Sequence, residues 1–336
     1  MVSRRLVASV VDRAPEPGTA PDPLALILLG PTASGKTALA LALARHLPIE
    51  ILSCDSVAVY RGMDIGSAKP TAAQRTAVPH HLLDLTDPDH DFSAGDYARA
   101  ARATLHAVTS RSATPVISGG TGLYLRALVE GLIAAPPRNP ELRQRLAAIQ
   151  SRSQSRSQPG SPSRLHRLLT RLDPAAAARI HTNDAPKLIR AIEVTLAARR
   201  PITDLFAAGR DRLTGFRLLR IGLDPPRAAL YDRINRRAAQ MFSDGLLAET
   251  QSLLDRFGPV RPLDSLGYRQ AAAVLRGELT EPAAIAAAQQ GHRNYAKRQL
   301  TWFRREAQVH WIPDFGDSPQ SLATTLALIQ SQLTPT

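Results

Sequence analysis

Cysteine is all but missing from this 336-residue sequence: Cys54 stands alone. That excludes an internal disulfide and any cysteine-based zinc site. Aromatic residues are few as well. No run reaches the roughly 18 apolar residues that a membrane-spanning helix needs, so no membrane partner is expected. Arg4 and Arg5 precede an apolar stretch, Leu6 to Val11, that is too short and broken for the core of a signal peptide. A cytoplasmic location is the expectation these absences leave. Asp12 to Pro23 is rich in proline and polar residues, and residues 1–23 read as a disordered leader.

Positive charge is what the chain has in excess, with a formal net charge of +13. Nearly all of it is arginine. Residues 138–212 hold 15 Lys and Arg against 6 Asp and Glu, so most of the surplus sits in one stretch. A protein that handles only small phosphates has no need of such a stretch, whereas a polyanionic partner would account for it. A solvated face on an arginine-rich background is the other reading.

The apolar pattern gives a parallel α/β core. Leu24 to Leu29 reads as a buried strand ending at Gly30, followed by a helix over Lys36 to Leu47. Ile49 to Cys54, His81 to Leu85 and Pro115 to Ser118 read as further strands, with helices over Asp96 to Thr109 and Leu123 to Glu130. Strands alternating with helices predict a doubly wound parallel sheet of the P-loop NTPase type. The alternation stops near Ala134, and strand character returns only at Phe216 to Leu223. Residues 135–212 therefore read as a mainly helical, basic insertion into a core made of residues 24–134 and 213–316. Ser151 to Ser163 is low-complexity Ser, Arg and Gln. After Arg227 helices are expected, with a break near Gly258 to Pro262 and a tail of little structural value over 317–336.

The sharpest local signal is Gly30-Pro31-Thr32-Ala33-Ser34-Gly35-Lys36-Thr37, a complete phosphate-binding loop between a strand and a helix. Its glycines let the backbone turn and approach phosphate, and its amides with the following helix N-terminus hold the anion. Lys36 supplies a mobile cation and Thr37 a hydroxyl suited to Mg2+. Hydrolytic motors carry an acid at the end of a later strand, but Pro115 to Ser118 runs into Gly119-Gly120. A small-acceptor kinase remains open, as does a transferase that releases diphosphate. Asp55, at the end of the second strand, lies on the ligand-binding rim of such folds. It reads either as a base for an incoming nucleophile or as a cap for its own turn.

The segment from Asp55 to Pro70, together with Gly30 to Thr37, closely resembles the bacterial tRNA dimethylallyltransferases, or tRNA isopentenyltransferases. Further matches follow in order: His80-His81-Leu82-Leu83-Asp84, Gly119 to Tyr124, Asn183-Asp184, Ile189 to Val194, Gly267 to Gln270 and Tyr295 to Arg304. Together they cover roughly residues 24–312. The resemblance implies transfer of a dimethylallyl group from dimethylallyl diphosphate to N6 of adenine 37 in tRNAs reading codons that begin with U. It implies a monomer, Asp55 as base, Thr121 beside the reacting base, and Arg237 on the diphosphate. It also implies tRNA anticodon stem-loop contacts from Asp55, Ser56, Val57 and Ala58, from Thr121 and Arg143, and from Lys187 and Arg190. The remaining implied contacts are Gly267, Tyr268 and Arg269, then Lys297, Arg298, Gln299, Trp302 and Arg304. Tyr268, Trp302 and Phe303 are candidates to stack on bases, although a lone Trp-Phe pair on a helix is more often core. His80 and His81 have no third ligand at metal spacing and read as structural.

Three departures stand out. Val57-Ala58 replaces the Met-Gln or Arg-Gln usual after the Asp-Ser pair, and Pro186-Lys187 replaces the usual Gln-Arg. The zinc finger of eukaryotic relatives is absent, as the single cysteine requires.

Overall fold

A computed structural model of the chain describes residues 21–154 and 163–333. The expected leader up to residue 20 and most of the Ser/Arg segment lie outside the described residues.

Six parallel strands form one sheet. In chain order they are β1 (Leu24–Leu29), β2 (Ile49–Cys54), β3 (His80–His81), β4 (Thr114–Gly119), β5 (Arg217–Leu223) and β6 (Val309–Ile312), arranged β3-β2-β4-β1-β5-β6. All six residues of β1 are buried, because a central parallel strand is covered on both faces and has no solvent side to mark with polar residues. Leu28 stands beside Ser118 of β4, and Cys54 of β2 beside Gly119. The loops after β1, β2 and β4 therefore open on the same rim.

The helices of the first half are α1 (Lys36–Leu43), α2 (Ala72–Ala77), α3 (Ala94–Ser110) and α4 (Gly122–Val129). α1 is shorter than its apolar pattern suggested: after Leu43 the chain tightens into turns, with Arg45 N bound to Ala42 O at 3.2 Å and His46 N to Leu43 O at 2.9 Å. The third strand shrinks to two residues because Leu82 and Asp84 turn left-handed, at φ 64° and 56°, which no extended strand accommodates.

Five helices follow: α5 (Pro140–Gln154), α6 (Arg164–Leu172), α7 (Pro174–Arg179), α8 (Ala185–Ala198) and α9 (Ile202–Ala207). They share a core of their own, built on Leu146, Leu165, Leu169, Leu188, Ile192 and Leu205. Helices α10 (Arg227–Ser243), α11 (Leu246–Phe257), α12 (Tyr268–Leu275) and α13 (Glu281–Phe303) complete the larger face of the sheet.

The stretch after Asp317 is not idle. It forms α14 (Pro319–Leu333), with Ser321, Thr325 and Ile329 buried. Ile329 joins Leu39 and Leu43 of α1 and the far face of β1 in one cluster. Strand β6 was also unforeseen: four residues with Trp311 flat on Gly222, where a side chain's Cβ would come within 2.5 Å of the ring.

Candidate active site

The loop after β1 takes its shape from its glycines. Gly30 and Gly35 have φ of 144° and 91°. A Cβ on Gly30 would lie 2.9 Å from the Leu223 carbonyl oxygen, and one on Gly35 would lie 2.8 Å from Gly316 N. Residues with side chains fit neither the dihedrals nor the space.

This loop lines a cavity of about 300 Å3 together with Ser53 and Asp55 of the β2 end, Ser118 to Gly120 of the β4 end, Ser67 to Pro70, Arg237, Tyr295 and Gln299. That volume is at the lower end for small-ligand sites.

Lys36 donates to the carbonyls of Gly30 at 2.9 Å and Pro31 at 2.8 Å. Burial, and to a lesser extent the Arg237 cation, lower its pKa to about 7 against the opposing pull of Asp55. Burial also lowers the pKa of Arg237, whose Nη1 lies 3.4 Å from the Thr32 hydroxyl. Two cations thus face one cavity with little water to shield them, an arrangement an incoming polyanion relieves. Thr37 is exposed at the loop's end.

Both readings of Asp55 hold in part. Its Oδ1 accepts from Val57 N at 2.8 Å and Ala58 N at 3.1 Å, capping the turn. Oδ2 makes no hydrogen bond among the described residues, and Asp55 lines the cavity. Thr121, at the N-cap position of α4, accepts from Ser56 N at 3.0 Å and donates to the Ser56 hydroxyl at 3.3 Å. It ties the Asp55 loop to the β4 end.

The strand-end acid of hydrolytic motors is absent here: Ser118 lines the cavity, and Gly119 has no room for a side chain. A Cβ at Gly119 would come within 2.1 Å of the Cys54 carbonyl oxygen.

Several expected tRNA contacts sit elsewhere. Tyr268 is fully buried and donates its hydroxyl to Glu249 at 2.6 Å, so it cannot stack on a base. Gln299 is buried, accepting from Thr32 N at 2.8 Å and donating to the Gly120 carbonyl at 3.0 Å. It clasps the phosphate loop to the β4 end, where the Tyr295 hydroxyl also donates, at 3.2 Å. Phe303 is core, and Trp302 is half-buried on Gly122 with the Arg126 guanidinium 4.2 Å from its ring. Ala58 and Gly267 are buried too, and Ser56 and Val57 partly so.

Arg143 and Arg190 are half-buried and share the buried Glu193 carboxylate, at 3.0 and 2.8 Å. Burial would raise Glu193, but these arginines and the Asn139 amide hold it below the usual glutamate range. Lys187 pairs with Asp184, and Arg304 with Asp224 at 2.8 Å. Arg269, Lys297 and Arg298 are exposed.

His81 pairs with Glu50 at 2.6 Å, and His80 holds the Val78 carbonyl while lining the cavity. Among the described residues no group of three His, Cys, Asp or Glu could hold a metal ion. Nor is any described helix long and apolar enough to cross a membrane.

Sequence reasoning gave Lys69 no role. Its ammonium is almost entirely buried, donating to the Tyr60 carbonyl, Asp64 and Asp84 at 2.6 to 2.7 Å. Three acceptors at sequence distances of five to fifteen residues leave no local pattern to detect.

Comparison with known proteins fits this geometry. Residues 58–306 match the family described as IPP transferase. The chain is 58% identical over 311 residues to the tRNA dimethylallyltransferase of Koribacter versatilis, covering 92% of this chain and 99% of that one. It is 48% identical to that of Solibacter usitatus, over 88% and 95% of the two chains. The full-length tRNA isopentenylpyrophosphate transferase of Bacillus halodurans superposes with a TM-score of 0.67 at 36% identity, over 92% of this chain and 96% of that one. Phosphate loop, Asp55 rim and glycine-bounded β4 end thus occur in a chain that belongs to the IPP transferase family.

Proposed function

We propose that this protein transfers a dimethylallyl group from dimethylallyl diphosphate to N6 of adenine 37 in tRNAs reading codons that begin with U, releasing diphosphate. The observation that carries the reading is one small cavity holding a phosphate loop, two cations and a carboxylate, with no acid at the end of β4.

In this reading the loop amides, Lys36 and Arg237 bind the diphosphate and stabilise its charge as the allylic carbon–oxygen bond breaks. The adenine leaves its stack to enter the cavity. Its N6 forms the new bond to carbon, and the Oδ2 atom of Asp55 takes the N6 proton. Oδ1 stays bound to its own turn, which keeps the carboxylate aimed. Thr121 holds the same loop against β4.

Mg2+ fits this lining, because it takes most of its ligands from phosphate oxygens and water and needs few protein groups. Thr37 would hold it by its hydroxyl. When bound, it supplies positive charge to the departing diphosphate.

The arginine surplus of residues 138–212 supports a grip on the anticodon stem through phosphates. Exposed Arg269, Lys297 and Arg298 would extend that contact towards the cavity. A cytoplasmic enzyme is the setting in which tRNA and the donor meet.

The test is incubation with Mg2+, labelled dimethylallyl diphosphate and undermodified tRNA. Label should enter tRNA. ATP consumption without label transfer would overturn the reading in favour of a small-acceptor kinase.

A further inference from the structure

Glu249, on α11, lines neither the phosphate cavity nor the larger groove beside it. Its carboxylate nonetheless sits at the focus of four donors. Oε2 accepts from Ile65 N at 2.8 Å and Asp64 N at 3.2 Å. Oε1 accepts from Ile65 N at 3.0 Å, Gly66 N at 3.2 Å and the Tyr268 hydroxyl at 2.6 Å. Three successive backbone amides turned to one point make an anion-binding concavity, and here the anion is a side chain from the distant helical half.

The turn that supplies those amides continues directly into the cavity wall. Ala68 N donates back to Ile65 O at 2.9 Å, Lys69 N to Asp64 O at 3.0 Å and the Ser67 hydroxyl to Met63 O at 2.6 Å. Ala68 is left-handed at φ 52°. Gly66 rests on the Tyr268 ring, where a Cβ would come within 2.5 Å. The next residues, Ser67 to Pro70, line the cavity. Lys69 spends its ammonium on Tyr60, Asp64 and Asp84. No hydrogen bond among the described residues joins this wall to the phosphate loop, so it is held from behind, by Glu249 at one end and by Lys69 on Tyr60 and Asp84 at the other.

We infer that Glu249 is a positioning residue of the transfer site: by holding the amides of Asp64, Ile65 and Gly66 it fixes the 64–70 turn as a wall of the donor cavity. The inference rests on the prenyl-transfer reading for its kinetic consequence, but not for the clamp itself. A carboxylate is required because both oxygens accept. The amide nitrogen of a glutamine would face the backbone N–H groups with donors of its own.

The experiment compares the full chain with Glu249→Gln and Tyr268→Phe in three readouts. These are hydrogen exchange of the 62–70 backbone, calorimetric affinity for dimethylallyl diphosphate with Mg2+, and steady-state transfer to tRNA. In Glu249→Gln, exchange at residues 64–66 should quicken. Donor Kd and KM should rise about tenfold and kcat should fall, since small misplacements of positioning groups cost one to two orders of magnitude. Affinity for tRNA should stay within about twofold, because its proposed grip lies elsewhere. Tyr268→Phe should move the same readouts less, and the double variant no further than Glu249→Gln alone.

Unchanged exchange would overturn the clamp. Faster exchange with parental donor affinity and KM would overturn the positioning role and leave a purely structural one, which would lower Tm and active fraction without moving KM. If the parent protein transfers nothing to tRNA, exchange and donor affinity still judge the clamp, and only the functional reading falls. Should Glu249→Gln fail to fold, Tyr268→Phe carries the comparison.

Discussion

The affinity of the phosphate loop for its donor should fall with rising pH, through Lys36. In the ligand-free chain, burial and the neighbouring Arg237 hold this lysine near a pKa of about 7. A bound diphosphate returns it to the charged form, so binding takes up a proton wherever free Lys36 is neutral. For a pKa of about 7, apparent affinity should weaken roughly eightfold between pH 7.5 and 8.5, approaching a full decade, or about 1.4 kcal/mol, per unit beyond. The donor's diphosphate is already fully ionised in that window and adds no slope. Titration calorimetry at both pH values, in two buffers of different ionisation enthalpy, reads Kd and proton uptake together. Lys36→Arg keeps its charge throughout and should bind with a flat profile. Arg237→Gln removes the second cause of the shift and should move the onset to higher pH. Equal Kd at both pH values without proton uptake would refute the reasoning. The same shift has the opposite sign for folding. The unfolded chain binds the extra proton between about 7 and the ordinary lysine value of 10.5, so the ligand-free fold should gain stability as pH rises across that window.

Asp55→Asn keeps an oxygen for the Val57 and Ala58 amides but removes the proposed base. Transfer in single-turnover assays should fall by about 100-fold or more while donor affinity changes little, and near-normal turnover would remove Asp55 from the proton's path. Gln299→Ala leaves Thr32 N without its acceptor and the Gly120 carbonyl with the Tyr295 hydroxyl alone. It should cost about 1–3 kcal/mol in denaturant unfolding and weaken diphosphate binding; an unchanged unfolding midpoint would count against the clasp. Truncation after Asp317 removes α14 and uncovers the cluster around Ile329. That side chain alone is worth roughly 1.5–3 kcal/mol of burial, so Tm should drop clearly, and a stable truncated chain would contradict the packing. Lys297→Ala or Arg298→Ala should weaken tRNA binding and reduce the salt slope by about one each, whereas Tyr268→Phe should leave tRNA affinity unchanged in filter binding.

What could be read from the sequence was local. β1, β2 and the phosphate loop are continuous runs whose apolar pattern and glycines act within a few residues, and the ordered motifs around them identified the family. What could not be read depends on long-range pairing. Gln299 looks like a surface residue of a basic helix, and only the fold brings it to Thr32, far back in the sequence. Tyr268 was a candidate for base stacking through the motif it belongs to, yet its ring is fully buried. β6 is too short to show a period, and its burial comes from Gly222 of another strand. The stretch after Asp317 carries no charge pattern or motif, so its apolar stripe passed for composition.

The Gln299 clasp also sets an order of assembly on the ribosome. Domains generally fold from the N-terminus as they emerge, but β1 is central in the sheet, with β5 on its open side, and β5 follows the whole helical insertion. A nascent chain that has exposed Gly30 to Thr37, or even β4, still lacks a neighbour for one side of β1 and the side chain that joins the two loops. The phosphate-binding signature is translated early and becomes a binding site only near the end of synthesis. Products of stalled translation would thus carry the motif without withdrawing the prenyl donor from the cell.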